Sequence, residues 1–197
     1  ERNGADLLLI GGKGRGFLRD VLMGHVSKRV VEEARMHVLV THFPEEHGPG
    51  SEAAGVPASR EKPLFSRILV PVDFSRTTFE TIEFLGELDE YEEIILMHII
   101  GSVNDRNDLQ KKLQHAIEAL SFLQRDLAPR RGMVSPLIRF GDPAGEICRM
   151  AEEEQATLIL ISRFGASDYL KQGPIGSIAA EVAKRARIPV LIRFPVS

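Results

Sequence analysis

From Arg67 to Phe194 the chain alternates short apolar runs with amphipathic stretches, and this order is the tightest constraint on its fold. "RILVPV" (67–72), "EIILMHI" (93–99), "MVSPLIRF" (133–140), "TLILIS" (157–162) and "IPVLIRF" (188–194) read as buried strands. Between the first two, "SRTTFETIEFLGEL" (75–88) reads as a helix capped by Ser75, with Phe79, Ile82, Leu85 and Leu88 at helical spacing. Next comes a long helix over 106–127 whose apolar face is expected to carry Leu109, Leu113, Ile117, Leu120 and Leu127. "DPAGEICRMAEEE" sets Asp142 as N-cap and Pro143 at the first helical position, and a fourth helix is expected from Ser177 to about Arg187. Strict alternation predicts an α/β fold, a parallel sheet with helices on both faces, its topology narrowed by right-handed crossovers. Pro136 sends the third strand to an edge, because proline cannot donate to a ladder.

The end of this pattern occurs twice. "ADLLLIGGKG" from Ala5 aligns with "ATLILISRFG" from Ala156 at an offset of 151, and "GHVSKRVVEEARMHVLV" from Gly24 aligns with "GSIAAEVAKRARIPVLI" from Gly176 at an offset of 152. Ala5, Leu7, Leu9, Ile10, Gly14, Gly24, Ala34, Arg35, Val38 and Leu39 all meet identical residues. A shared pattern of this length reads as a duplicated domain. Residues 1–43 supply only the last strand, helix and strand of the first copy, whereas 64–197 hold a whole one. Residues 44–63, "PEEHGPGSEAAGVPASREKP", read as a solvated linker, since they hold almost nothing large and apolar. The chain opens on Glu1 rather than Met, and the expectation is that part of the natural N-terminus precedes it. A net charge of −3 argues against a general nucleic-acid binder. No apolar run approaches the ~20 residues of a membrane helix. The single cysteine, Cys148, cannot form an internal disulfide, so a cytoplasmic protein is expected.

"RILVPVDFS", "RFGDPAGEICRMAEEEQATLILISR" and the glycine-bearing loops resemble the universal stress protein family. Nucleotide-binding members carry G-x2-G-x9-G-(S/T). The first copy matches with Gly11, Gly14 and Gly24 but has His25 in the last place. The second has Ser162 for the first glycine, then Gly165, and Gly176 followed by Ser177 after a spacer of ten residues. The resemblance implies a doubly wound, open, parallel five-stranded sheet of order 3-2-1-4-5, plus the β-α-β rear of a second copy. It also implies an adenine nucleotide, ATP or AMP, with or without Mg2+.

In that strand order the first and fourth strands flank a topological switch point, where ligands favour the C-terminal ends of the strands. Pro71, Val72 and Asp73 end the first strand and Ser162 ends the fourth, so two motifs about 90 residues apart should meet in one cleft. Gly165, Gly176, Ser177 and Ile178 would offer backbone N–H groups to phosphate at a helix start. Arg163 can add a charge-assisted contact, Asp73 can accept from ribose hydroxyls, and Val72 with Ile99 or Ile100 would wall the base. Simpler roles stay open: Asp73 and Ser177 as helix caps, Arg163 as a solvated charge, the glycines as turn residues. A possible second site comprises Gly11, Lys13, Gly14, Gly24, His25 and Val26, with no first strand of its own to close it.

"GGKGRG" is neither a dinucleotide fingerprint nor a P-loop, and no zinc spacing or nucleophile elbow is present. The expectation is therefore a binding protein, with slow ATP hydrolysis at most. The alternative is a dimerising scaffold with an empty cleft. The last strands, Met36–His42 and Ile188–Phe194, are expected to pair antiparallel, within the chain or in a homo-oligomer.

Overall fold

The computed structural model describes residues 5–12, 23–41, 62–86, 88, 91–127, 132–166 and 174–194. Residues 44–61 of the expected linker, His42 of the expected last strand, and 13–22 with Lys13 and Gly14 lie outside them. In chain order the elements are β1 Leu7–Gly11, α1 His25–Glu33, β2 His37–Thr41, β3 Arg67–Pro71, α2 Arg76–Leu85 and β4 Glu93–Ile100. They continue with α3 Arg106–Leu127, β5 Met133–Phe140, α4 Pro143–Glu153, β6 Leu158–Ser162, α5 Ser177–Arg185 and β7 Val190–Arg193.

The strands form one sheet in the order β1-β2-β7-β6-β3-β4-β5. Its β5-β4-β3-β6-β7 part is parallel throughout and is the 3-2-1-4-5 arrangement implied by the resemblance. β5 lies at the edge with Pro136 inside it, opposite Leu96. β1 and β2 continue the sheet beyond β7. β2 pairs with β7 antiparallel, Val38 to Ile192, Leu39 to Leu191 and Val40 to Val190. The two last strands therefore join within the chain.

Alternate strand residues feed two cores on opposite faces of the sheet, as strand geometry requires. On one face Leu69, Ile95, Met97, Ile159, Ile161, Val190 and Ile192 pack with α1, α4 and α5 through Val31, Ile147, Met150, Val182 and Ala183. On the other, Ile68, Val70, Ile94, Leu96, Leu158, Leu160 and Leu191 pack with α2 and α3 through Ile82, Leu85, Leu120, Leu123 and Leu127.

Ser75 accepts from Thr78 N and Asp142 from Gly145 N, so both expected caps hold. α2 stops at Leu85, with Gly86 as its C-cap. α5 stops at Arg185, short of Arg187, because Ala186 is already extended (ψ 147°) and the chain enters β7 through Pro189. The inner faces need correction at two places. Phe79 is 41% exposed and Thr77, Thr78 and Thr81 are buried instead. In α3, Ile117 is 46% exposed while Ala116 and Leu123 take the core positions. Over 22 residues a helix of 3.6 residues per turn drifts away from a fixed three- and four-residue count.

Candidate functional site

A cleft opens at the C-terminal ends of β3 and β6, between the first turns of α4 and α5. It holds about 550 Å³ of space free of protein atoms, part of it at the open mouth. Pro71, Val72, Asp73, Ile99, Ser162, Arg163, Gly165 and Ile178 line it. The topology explains the meeting. β3 and β6 are neighbours in the sheet, but the chain leaves β3 toward β4 and returns through β6 on the other side. Their ends are therefore splayed by crossovers that run in opposite directions.

Asp73 ties the two motifs together. Its Oδ2 accepts from the backbone N–H of Ala166, in the loop after β6, at 2.6 Å. Its Oδ1 accepts from Thr78 Oγ1 at 2.6 Å and from Ser75 N at 3.0 Å. Burial works to raise the carboxyl pKa, but the hydrogen bonds from Ser75, Thr78 and Ala166 outweigh it and leave the group below its ordinary value. A second tie runs alongside, from Thr77 Oγ1 to the carbonyl of Phe164 at 2.7 Å. Asp73 is thus a local turn-former and a bridge across the cleft at once. Phe74, the next residue, has φ of +60° and stacks on His98 with ring centroids 4.4 Å apart. His98 Nδ1 lies 2.8 Å from the carbonyl of Val72, which can only accept, so this nitrogen carries the proton.

Other expected residues sit differently. Ile100 is 2% exposed and is not part of the cleft lining, whereas Ile99 is. Gly176 caps α5, and its N–H is committed to the carbonyl of Arg163 at 2.9 Å. Ser177 begins α5 on its exposed side, outside the lining, and Ile178 and Ala179 take that place. Arg163 is buried rather than a solvated charge. It is 3% exposed, with Nε on the carbonyl of Pro174 at 2.7 Å and Nη2 on that of Glu32 at 2.5 Å.

The sequence reading missed Thr78, His98, Pro143, Ile147, Ile161 and Ala179. Pro143 and Ile147 were within reach. They lie one turn apart at the start of α4, on the helix face that also carries core residues. At the possible second site, Gly11 ends β1 and its carbonyl accepts from Ser27 Oγ at 2.7 Å. Gly24 caps α1, His25 is exposed and Val26 is 78% exposed. Among the described residues no strand lies on the outer side of β1; His25 and Val26 face solvent, while Gly24 is buried and Gly11 half-buried.

Comparison with known proteins covers nearly the whole described chain. The model of the universal stress protein family matches residues 1–42 and 64–193. Universal stress protein MJ0577 of Methanocaldococcus jannaschii is 27% identical over 154 residues, 66% of this chain and 94% of its own length. The solved structure of MJ0577 superposes with a TM-score of 0.60 over 68% of this chain and 99% of that one. A protein of unknown function from Pseudomonas aeruginosa, PA1789, shares the fold over 98% of this chain and 64% of its own, at 17% identity and a TM-score of 0.64. A universal stress protein solved in complex with cAMP shares the fold at 16% identity, over 66% of this chain and 97% of its own, with a TM-score of 0.52.

Proposed function

Because the chain belongs to the universal stress protein family, we propose that its cleft binds an adenine nucleotide, ATP or AMP, and that the occupied cleft alters loop order or packing between the two copies. Val72 and Ile99 would face the base and Asp73 the ribose. Gly165 and the start of α5 would face the phosphates, which would also hold any Mg2+. The observation that carries this reading is the Asp73–Ala166 contact at 2.6 Å, which brings the acidic turn and the glycine-bearing loop into one cleft. A carboxylate has about four acceptor sites. Three donors from the chain itself occupy Asp73, so room remains for one ribose hydroxyl. The relative solved with cAMP supports a nucleotide in general terms. We read 1–43 as the rear of a first domain, 44–63 as a linker and 64–197 as a complete domain, joined as an internal pseudo-dimer.

A second reading, a scaffold that binds no nucleotide, has its own support. Ser162 stands in a glycine position, and the two described guanidinium contacts of Arg163 are to backbone carbonyls. Equilibrium titration with ATP and with AMP separates the two, run on the wild type and on Gly165→Val. Gly165 lines the cleft, so the variant should bind at least tenfold more weakly, about 1.4 kcal/mol. No binding by the wild type selects the scaffold. Equal binding by both proteins moves the ligand elsewhere.

A further inference from the structure

Arg163 follows β6 directly and lines the cleft, and its guanidinium also reaches the N-terminal unit. Nη2 donates to the carbonyl of Glu32, in the last turn of α1, across 131 residues of sequence. Nε donates to Pro174, at the far end of the cleft loop. The guanidinium also lies over the rings of Phe164 and Phe194, at 5.7 and 5.1 Å from their centroids. One buried cation therefore touches both ends of the loop, the segment after β7 and the N-terminal unit.

The repeat shows why α1 has use for it. Carbonyls of a last helical turn lack partners within the helix, and the dipole there favours a cation. α5 supplies its own, with Lys184 and Arg185 in its last turn. α1 has no basic residue in its last turn and carries Glu32 and Glu33 there. At the offset of 151 the counterpart of Arg163 is Gly12, which has no side chain to send the other way. The brace is one-sided: the complete copy caps the helix of the partial one, and nothing from Gly12 answers it.

We propose that Arg163 is a positioning residue that couples the two copies, capping α1 so that Pro174, the start of α5 and the N-terminal unit are held together. The start of α5 and α1 then share one anchor, and loosening either loosens the other. Only the effect of a nucleotide on this link rests on the function proposed above; the link itself needs no ligand.

Hydrogen exchange on the full chain, followed by mass spectrometry, tests it. Without nucleotide, Arg163→Ala should speed exchange about fivefold or more in peptides covering 23–41 and 174–180, and leave β4 and β5 unchanged. Arg163→Lys keeps the charge and should restore part of the protection. Ser27→Ala removes the hydrogen bond from Ser27 Oγ to the Gly11 carbonyl, which lies within the N-terminal unit, and should speed exchange at 174–180 in the wild-type background but not in Arg163→Ala. Unchanged exchange at 23–41 in Arg163→Ala overturns the proposal. So does a Ser27→Ala effect on 174–180 that survives loss of the arginine. Adding ATP or AMP should protect 23–41 in the wild type and not in Arg163→Ala. If neither ligand binds, the nucleotide reading fails while the ligand-free measurements still decide the coupling. If a ligand binds and protects 23–41 equally in both proteins, the coupling is refuted and the binding site stands.

Discussion

β1-α1-β2 and β6-α5-β7 share a sequence pattern, and several of their backbone hydrogen bonds match. Gly24 N donates to Gly12 O and Gly176 N to Arg163 O, both at 2.9 Å. Ala34 N donates to Val30 O and Ala186 N to Val182 O, again both at 2.9 Å. Each helix starts from an extended glycine without a side-chain cap. Their surroundings differ. Leu7 and Leu9 are 50% and 62% exposed, while their counterparts Leu158 and Leu160 are at 0% and 1%. β6 has β3 beside it and shares a core with α2 and α3; β1 pairs only with β2 among the described residues. Local sequence thus sets the turn, the cap and the helix. Whether the same leucine stabilises the protein depends on elements far away in the chain.

That contrast gives the largest expected effect. Leu160→Ala removes a fully enclosed side chain and should cost about 2–5 kcal/mol, a transfer loss plus an unfilled cavity. Leu9→Ala removes the counterpart from a largely solvated position and should stay within about 0.5 kcal/mol. Urea unfolding of the two variants measures both. Comparable losses would mean that Leu9 is covered by something in solution, and the contrast between the copies would fall.

A smaller effect separates helices capped by side chains from those capped by glycine. Asp142 accepts from Gly145 N at 2.8 Å, and its carboxylate also lies 3.6 Å from Arg185 of α5. Asp142→Ala should cost about 1 kcal/mol, the usual loss of an N-cap. At Gly24 a Cβ would meet Ser27 Oγ at 3.9 Å and Gly12 O at 4.0 Å, both ordinary contacts. Gly24→Ser should therefore be accommodated and gain a few tenths of a kcal/mol as a better cap. A clear loss there would show that the loop ahead of α1 needs a bare backbone at Gly24.

Backbone order was legible in the sequence because it depends on near neighbours. Apolar runs, the caps Ser75 and Asp142, and Pro136 at an edge are signals of a few residues each. The family resemblance, applied to the two last strands, indicated the antiparallel seam of Val38–Val40 with Val190–Ile192. Asp73 and Gly165 were readable as site candidates because a strand order predicts which strand ends meet. Arg163 was not. Its partners Glu32 and Pro174 are backbone carbonyls, which carry no mark in a sequence, and its direction depends on how two copies pack. The burial of Thr77, Thr78 and Thr81 in place of Phe79 escaped for a related reason. Threonine hydroxyls enter an interior when acceptors are waiting, and those acceptors, Phe164 O, Asp73 Oδ1 and Thr77 O, belong to turns and carbonyls.

The smallest effect tests whether the β3–β4 region responds to pH where β1 does not. Burial pushes the pKa of His98 down. The Val72 carbonyl and the Asp73 charge pull it back, and His115 adds to the depression. A histidine with a lowered folded pKa is protonated more readily when unfolded. Its contribution is complete above the unfolded value of about 6.5 and declines as pH falls below it, levelling off once the folded form also takes the proton. Stability of the complete copy should therefore drop between about pH 7.5 and pH 5.5. His98→Asn keeps an N–H for the Val72 carbonyl and cannot titrate, so the drop should shrink. Hydrogen exchange at the two pH values, corrected for intrinsic rates, should place the His98-dependent change in β3 and β4 and leave β1 unaffected. An equal change at β1 would mean that the seam transmits the whole perturbation, and the two copies would have to be treated as a single cooperative unit.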